Sequence, residues 1–296
     1  MTAMDSTTAA TQAGYYGKPI VAAHVWKDYI GWYFFTGGLA GASSTIAAIA
    51  DLAGRPALAR DARRAALIGL LPSPVLLIAD LGRPSRFAYM LRVLKPTSPM
   101  SVGSWLLAAY SPFAVGAAAL DHLALAPRLC RATTVAAGIA GSGIATYTGV
   151  LVADTATPAW HEARRELPML FAASAAASAG GVTAALSAIS DRADRSSARI
   201  GALGAVTEIV VAAVMRRRLG DLDTYASDAS AHRLDQASRV LSLAGSALLL
   251  AGRRRRLVTI AGGVAVSTGS VCERLSVLRA GTASANDPQS VLSASA

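Results

Sequence analysis

The chain has 296 residues, of which 53% are hydrophobic and only 16% charged, with a net charge of +10 and a mean hydropathy of +0.42. Charged residues make up about a quarter of an ordinary soluble domain, so this composition excludes that class and points to a protein embedded in a membrane. In a soluble chain the excess of Lys and Arg would suggest nucleic acid; here it sits in short loops without interleaved aromatics, so it reads as a topology signal and no nucleic-acid partner is expected.

Residues 1–28 are a small, polar tail followed by a pre-helix segment carrying His24, Trp26 and Lys27. They lack a basic n-region and an early apolar stretch, so no cleaved signal peptide is expected. Apolar segments follow at 29–52, 65–81, 100–120, 133–153, 167–189, 200–215, 237–252 and 257–272. A crossing needs about 20 apolar residues, with a lower limit near 17. The first, third, fourth and fifth segments pass comfortably. The second holds Pro72 and Pro74, which should kink it but are tolerated in membranes. The sixth is short and contains Glu208, and the last two are short and separated by the arginine run 253–256, so a shallow hairpin is the alternative to two crossings. The expected fold is an all-α integral membrane protein with about eight transmembrane helices over 29–280, ending in a mobile tail over 281–296. Lys and Arg divide almost evenly between the two sides of this plan, so the positive-inside rule leaves orientation open.

Small residues crowd the segments, including Gly37 and Gly41 in the first and Gly138, Ser142, Gly143 and Gly149 in the fourth, which suits closely packed helices in lipid. The two cysteines, Cys130 and Cys272, lie far apart in the plan and form no Cys-x-x-Cys, so neither a disulfide nor an iron–sulfur site is expected within the chain. All four histidines fall at segment ends or in loops, which excludes a transmembrane b-type haem. No glycine-rich nucleotide loop follows a strand, so dehydrogenase chemistry within the chain is not expected either.

The stretch from Asp80 to Trp105 is the most informative. Asp80-Leu-Gly-Arg-Pro-Ser-Arg-Phe leads to Ser98-Pro-Met-Ser-Val-Gly-Ser-Trp105, placing charge at a membrane boundary where it is costly and seldom kept without a role. A second block pairs Tyr147-Thr-Gly-Val-Leu with Pro158-Ala-Trp-His-Glu-Ala-Arg-Arg-Glu-Leu-Pro168. In this order the two blocks resemble the NrfD/polysulfide reductase membrane-subunit family. The resemblance implies two four-helix bundles and a quinol site in the first, facing an iron–sulfur, ferredoxin-like partner with a molybdopterin catalytic subunit beyond it. It also implies the cytoplasmic membrane of a bacterium.

The topology gathers His24, Asp80, Arg83, Arg86, Lys95, Tyr147, Asp154 and the basic pair Arg164 and Arg165 on the face that holds the N-terminus. A quinone of menaquinone or ubiquinone type needs donors for two carbonyl oxygens and protons for its reduction. Asp80, Arg83, Tyr147 and His24 are therefore the candidate quinone-binding residues, the last on position alone. Arg86, Lys95, Arg164 and Arg165 are candidates for partner docking, and the arginine pair also reads as a topology determinant. Trp26, Trp32 and Trp160 read as headgroup-level anchors. Glu208, at mid-depth and flanked by Ile209 and Val210, is expected to face the bundle interior as a proton-path residue or a structural carboxyl. Two other readings stay open: a proton- or ion-coupled transporter using Asp80 and Glu208, and a passive anchor for a partner subunit.

Overall fold

The computed structural model describes residues 26, 28–81, 85–192, 195–220, 224–252 and 255–287, together with the backbone but not the side chains of 86–88 and 226–227. Among them there is no strand. In chain order the helices are α1 (Asp28–Leu52), α2 (Pro56–Leu70), α3 (Pro72–Leu81), α4 (Ser85–Met90), α5 (Pro99–His122), α6 (Pro127–Ala153), α7 (Pro158–Glu162), α8 (Leu167–Ile189), α9 (Arg195–Leu219), α10 (Thr224–Ser227), α11 (Ala229–Ala251) and α12 (Arg256–Asn286). Prolines open α2, α5, α6 and α7, where a missing N–H costs nothing because the first turn has no intrahelical acceptor for it. Pro72 does more than kink the second segment. It starts a new helix, and Leu71 separates α2 from α3.

Among the described residues six spans are long and apolar enough to cross a membrane: α1, the α2–α3 pair, α5, α6, α8 and α9. Helices α11 and α12 match them in length, with 23 and 31 residues. At 1.5 Å per residue these reach about 35 and 46 Å, beyond a hydrocarbon core of about 30 Å. Neither contains as long an apolar stretch as the six, yet both pack into the helical assembly rather than lying as a shallow hairpin against it.

The rods form two groups of four. The first joins α1, α2–α3, α5 and α6, and the second joins α8, α9, α11 and α12. Helix α8 also packs on α1, α2 and α6, and α12 on α1, which fastens the groups together. Contact is close because the facing residues are small. Gly41 of α1 and Gly141 of α6 lie backbone to backbone, so a side chain at either would drive into the other's carbonyl. The expected small-residue packing is thus realised at Gly41, whereas Gly37 has only ordinary contacts.

Helix ends differ from the sequence expectation where charge lies inside a helix. Helix α2 starts at Pro56, so Asp61 and Arg63 are helical and buried, at 1% and 6% exposure. Helix α12 runs on past Cys272 to Asn286, with Glu273 and Arg274 buried at 2% and 0%. The tail boundary at 281 therefore falls inside a helix: Gly281 seats the Trp160 indole, and Ser284 is buried. Both cysteines are free.

Candidate functional site

The face holding the start of α1 also holds the ends of α3, α6, α9 and α12 and the starts of α5, α8 and α11. Just beneath it, the hydroxyls of Tyr33 (α1) and Tyr147 (α6) lie 2.9 Å apart, and the Tyr33 side chain is fully buried. The Tyr147 ring lies on Gly103 of α5, so closely that a Cβ there would overlap it. This gives Ser98–Trp105 a structural task. Gly103 supplies the space for Tyr147, Ser101 accepts from the Lys95 amide and donates to the Val93 carbonyl to hold the preceding loop, and Ser104 bonds back to Met100.

The α1–α3 register follows from two contacts. Gly69 lies against Thr36 and Ala40, and Ser73 donates to Thr36 at 2.9 Å. Continuing antiparallel from there brings Leu76 and Leu77 onto the aromatic core around Tyr33. It carries Asp80, which is part-buried, toward the level of Tyr29 at the membrane boundary. Asp80 and Tyr147 thus belong to the same end of the first bundle. Tyr29 itself is 48% exposed, whereas Tyr33, Gly37 and Gly41, at four-residue spacing along α1, are buried. His24 and Arg83 lie outside the described residues, as does the side chain of Arg86.

Lys95, Arg164 and Arg165 are exposed on this face, beside exposed Asp154 and His161. Arg164 donates to the His161 carbonyl and lies 3.9 Å from Glu162. Arg218, at the end of α9, pairs with Glu166 at 2.8 Å. The α11 start is capped by Asp228, whose carboxylate accepts from the Ser230 hydroxyl and from the amides of Ala231 and Ser230; the hydroxyl bond first, and the amides after it, hold its pKa below the usual carboxylate value.

Trp32 is 45% exposed, as the anchor reading of the tryptophans requires, but Trp160 is not exposed. Trp160 is buried, donates its indole N–H to the Val277 carbonyl at 2.8 Å and stacks on Trp26 with ring centres 5.4 Å apart. From Trp26 the aromatic series continues edge-on to Phe34 and then to Phe171. Phe171 lies under the guanidinium of Arg274, at 4.7 Å. The series ties the first bundle to the second directly below the face that carries the tyrosine pair.

Glu208 is buried and faces inward, as expected, accepting from Ser270 of α12 at 3.2 Å. Its surroundings were not visible in the sequence, because the eighth apolar segment was cut at Cys272. Arg274 follows one turn after Ser270 and Glu273 lies beside it, which makes Glu208 one member of a buried charged group rather than an isolated carboxyl. A mid-helix Glu–Arg pair inside a small-residue helix was the available signal.

The opposite face carries a separate ionic network. Arg63 bonds Asp121 at 2.7 Å and approaches Asp51 at 3.7 Å, while Asp61 accepts from Ser187 at 2.9 Å with Arg64 and Arg192 near it. These residues bind α1, α2, α5 and α8 to one another, so their first role is structural. No group of His, Cys, Asp and Glu suited to a metal ion occurs among the described residues.

Residues 20–222, more than two-thirds of the chain, match the family described as polysulphide reductase, NrfD. No curated protein matches the chain.

Proposed function

The chain belongs to the NrfD family of membrane subunits of respiratory oxidoreductases, and we propose that it exchanges electrons between the quinone pool and an iron–sulfur partner. The quinone is a substrate held in the first bundle at the N-terminal face. The observation that carries this reading is the Tyr33–Tyr147 hydroxyl pair, in which Tyr33 is buried and Tyr147 half-buried. Two phenols bonded to each other offer at least one proton beyond the one they share, aimed from apolar helix walls at a carbonyl oxygen. Asp80 at the same boundary is the acidic group through which protons enter or leave, joined by Arg83 and His24. Electrons are exchanged with a ferredoxin-like subunit seated on the exposed basic groups Arg164, Arg165 and Lys95, with Arg86, and through it with a molybdopterin catalytic subunit. The setting is a bacterial cytoplasmic membrane, with menaquinone or ubiquinone as the pool. Glu208 supports a second proton route in the other bundle, because a carboxyl at that depth is costly unless it serves a purpose.

Titration of the purified chain with a menaquinone-analogue inhibitor tests the reading, comparing wild type with Tyr147→Phe and Asp80→Asn. Loss of one hydrogen bond of about 0.5–1.5 kcal/mol weakens binding by roughly 2- to 12-fold. Saturable binding weakened by either substitution supports a quinone site at this boundary. Absence of saturable binding to folded protein with its iron–sulfur partner present rejects it.

A further inference from the structure

The centre of the second bundle holds three ionisable side chains with incomplete hydrogen bonding. Arg274 is fully buried; its Nη2 donates to the Phe171 carbonyl at 3.0 Å, while Nε and Nη1 have no partner among the described residues. Glu208 and Glu273 each have one oxygen, Oε1, in the same condition. Buried charged groups left without partners carry a heavy desolvation cost, and internal water is the usual means of meeting it.

These groups are connected in one direction. Ser238 of α11 reaches Glu273, and one turn before Ser238 lies Asp235, which pairs with both Arg216 of α9 and Arg239. Arg216 stands in the last turn of α9, so this series of polar groups leads from the buried cluster toward the N-terminal face. In the other direction the helices close on each other. Gly180 of α8 lies against the backbone of Gly201 in α9, Gly204 against Ala177, and Gly181 against Gly263 of α12. A Cβ at Gly180 or Gly204 would overlap the facing backbone, which leaves no room for a water molecule along that seam.

We propose that Glu208, Glu273 and Arg274 enclose an internal water site that exchanges protons with the N-terminal face alone, the glycine seam sealing it from the opposite face. The second bundle is then a one-sided proton reservoir. Protons enter and leave past Asp235 and Ser238, and the bundle provides no route across the membrane. Its assignment as a reservoir for redox chemistry rests on the function proposed above, but its water and its sidedness do not.

The test uses silver ion, a thiol probe small enough for narrow aqueous paths. Single cysteines replace Ser238, Ser270 or Ser246 in the full chain with Cys130→Ser and Cys272→Ser, reconstituted in liposomes of known orientation. Silver is added to one side, and remaining free thiol is counted with a maleimide after unfolding. Folding of each variant is checked by size exclusion, and the exchange of serine for cysteine changes volume little. Protection of Ser238→Cys and Ser270→Cys from the N-terminal side only, with Ser246→Cys unprotected, is the expected result. An unprotected Ser270→Cys overturns the internal water, and equal protection from the opposite side overturns the seal. Neither readout requires quinone or a partner subunit, so failure here is distinct from failure of the proposed function.

Discussion

Tyr147 and Gly103 show how one residue makes another usable. The phenol can lie beside Tyr33 only because the position facing it on α5 carries no side chain. Gly103→Ala should displace the Tyr147 ring, cost about 1–3 kcal/mol through overpacking and reproduce the quinone-binding loss of Tyr147→Phe. Thermal unfolding and analogue titration on one preparation check both parts, and unchanged binding would separate Tyr147 from the quinone site. The importance of Asp80 and Tyr147 was legible because apolar flanks make polar residues conspicuous. The partner of Tyr147 was not, since Tyr33 reads as one aromatic among many until two tyrosines 114 residues apart are brought together. Trp160 misled for a related reason. Tryptophan near a helix start commonly marks a membrane interface, and nothing local reveals that Gly281 has left a slot for it.

At the scale of helices, apolar length located every rod but misplaced its ends wherever ionic residues entered the interior. The α2 start was set at residue 65 instead of Pro56 because Asp61, Arg63 and Arg64 look like a loop. The α12 end was set at Cys272 because Glu273 and Arg274 follow it. Both errors arise because a hydropathy window sums charges along the chain, whereas burial depends on partners from other helices. Caps escape this problem, being local. Asp228 ends the connection before α11 and accepts two of its free amides, so Asp228→Ala should destabilise the protein by about 1 kcal/mol. The folded protein holds this carboxyl ionised to a lower pH than the unfolded chain does. The stabilisation is therefore fully present above its ordinary pKa near 4 and is lost as pH falls through the depressed folded value. Chemical denaturation of wild type and Asp228→Ala at neutral and strongly acidic pH checks this. A difference that persists at the acid end would show that the capping charge is not its source.

For the whole molecule, the two bundles divide the work between them. The first presents hydroxyls near the boundary, and the second stores charge in its interior, with Trp26, Phe34, Phe171 and Arg274 joining the two. The pairing of bundles could be anticipated from family resemblance and segment count, but the joint could not, because its members come from three separate stretches of chain. The ionic network on the opposite face has a consequence for biogenesis. Asp61 is 1% exposed, and the hydroxyl it accepts from, Ser187, is made 126 residues later. During synthesis the first helical hairpin must therefore wait in the bilayer with an acidic group that has only Arg64 of its own helix beside it, Ser187 and Arg192 not yet being made, a state that quality-control proteases recognise. Nascent chains halted before Ser187 should be degraded faster with Asp61 than with Asp61→Asn, as pulse-chase labelling would record, whereas full-length chains should rank in the reverse order. The residue that clamps the finished protein is thus also a timer on its birth, marking the interval in which an incomplete copy can still be discarded.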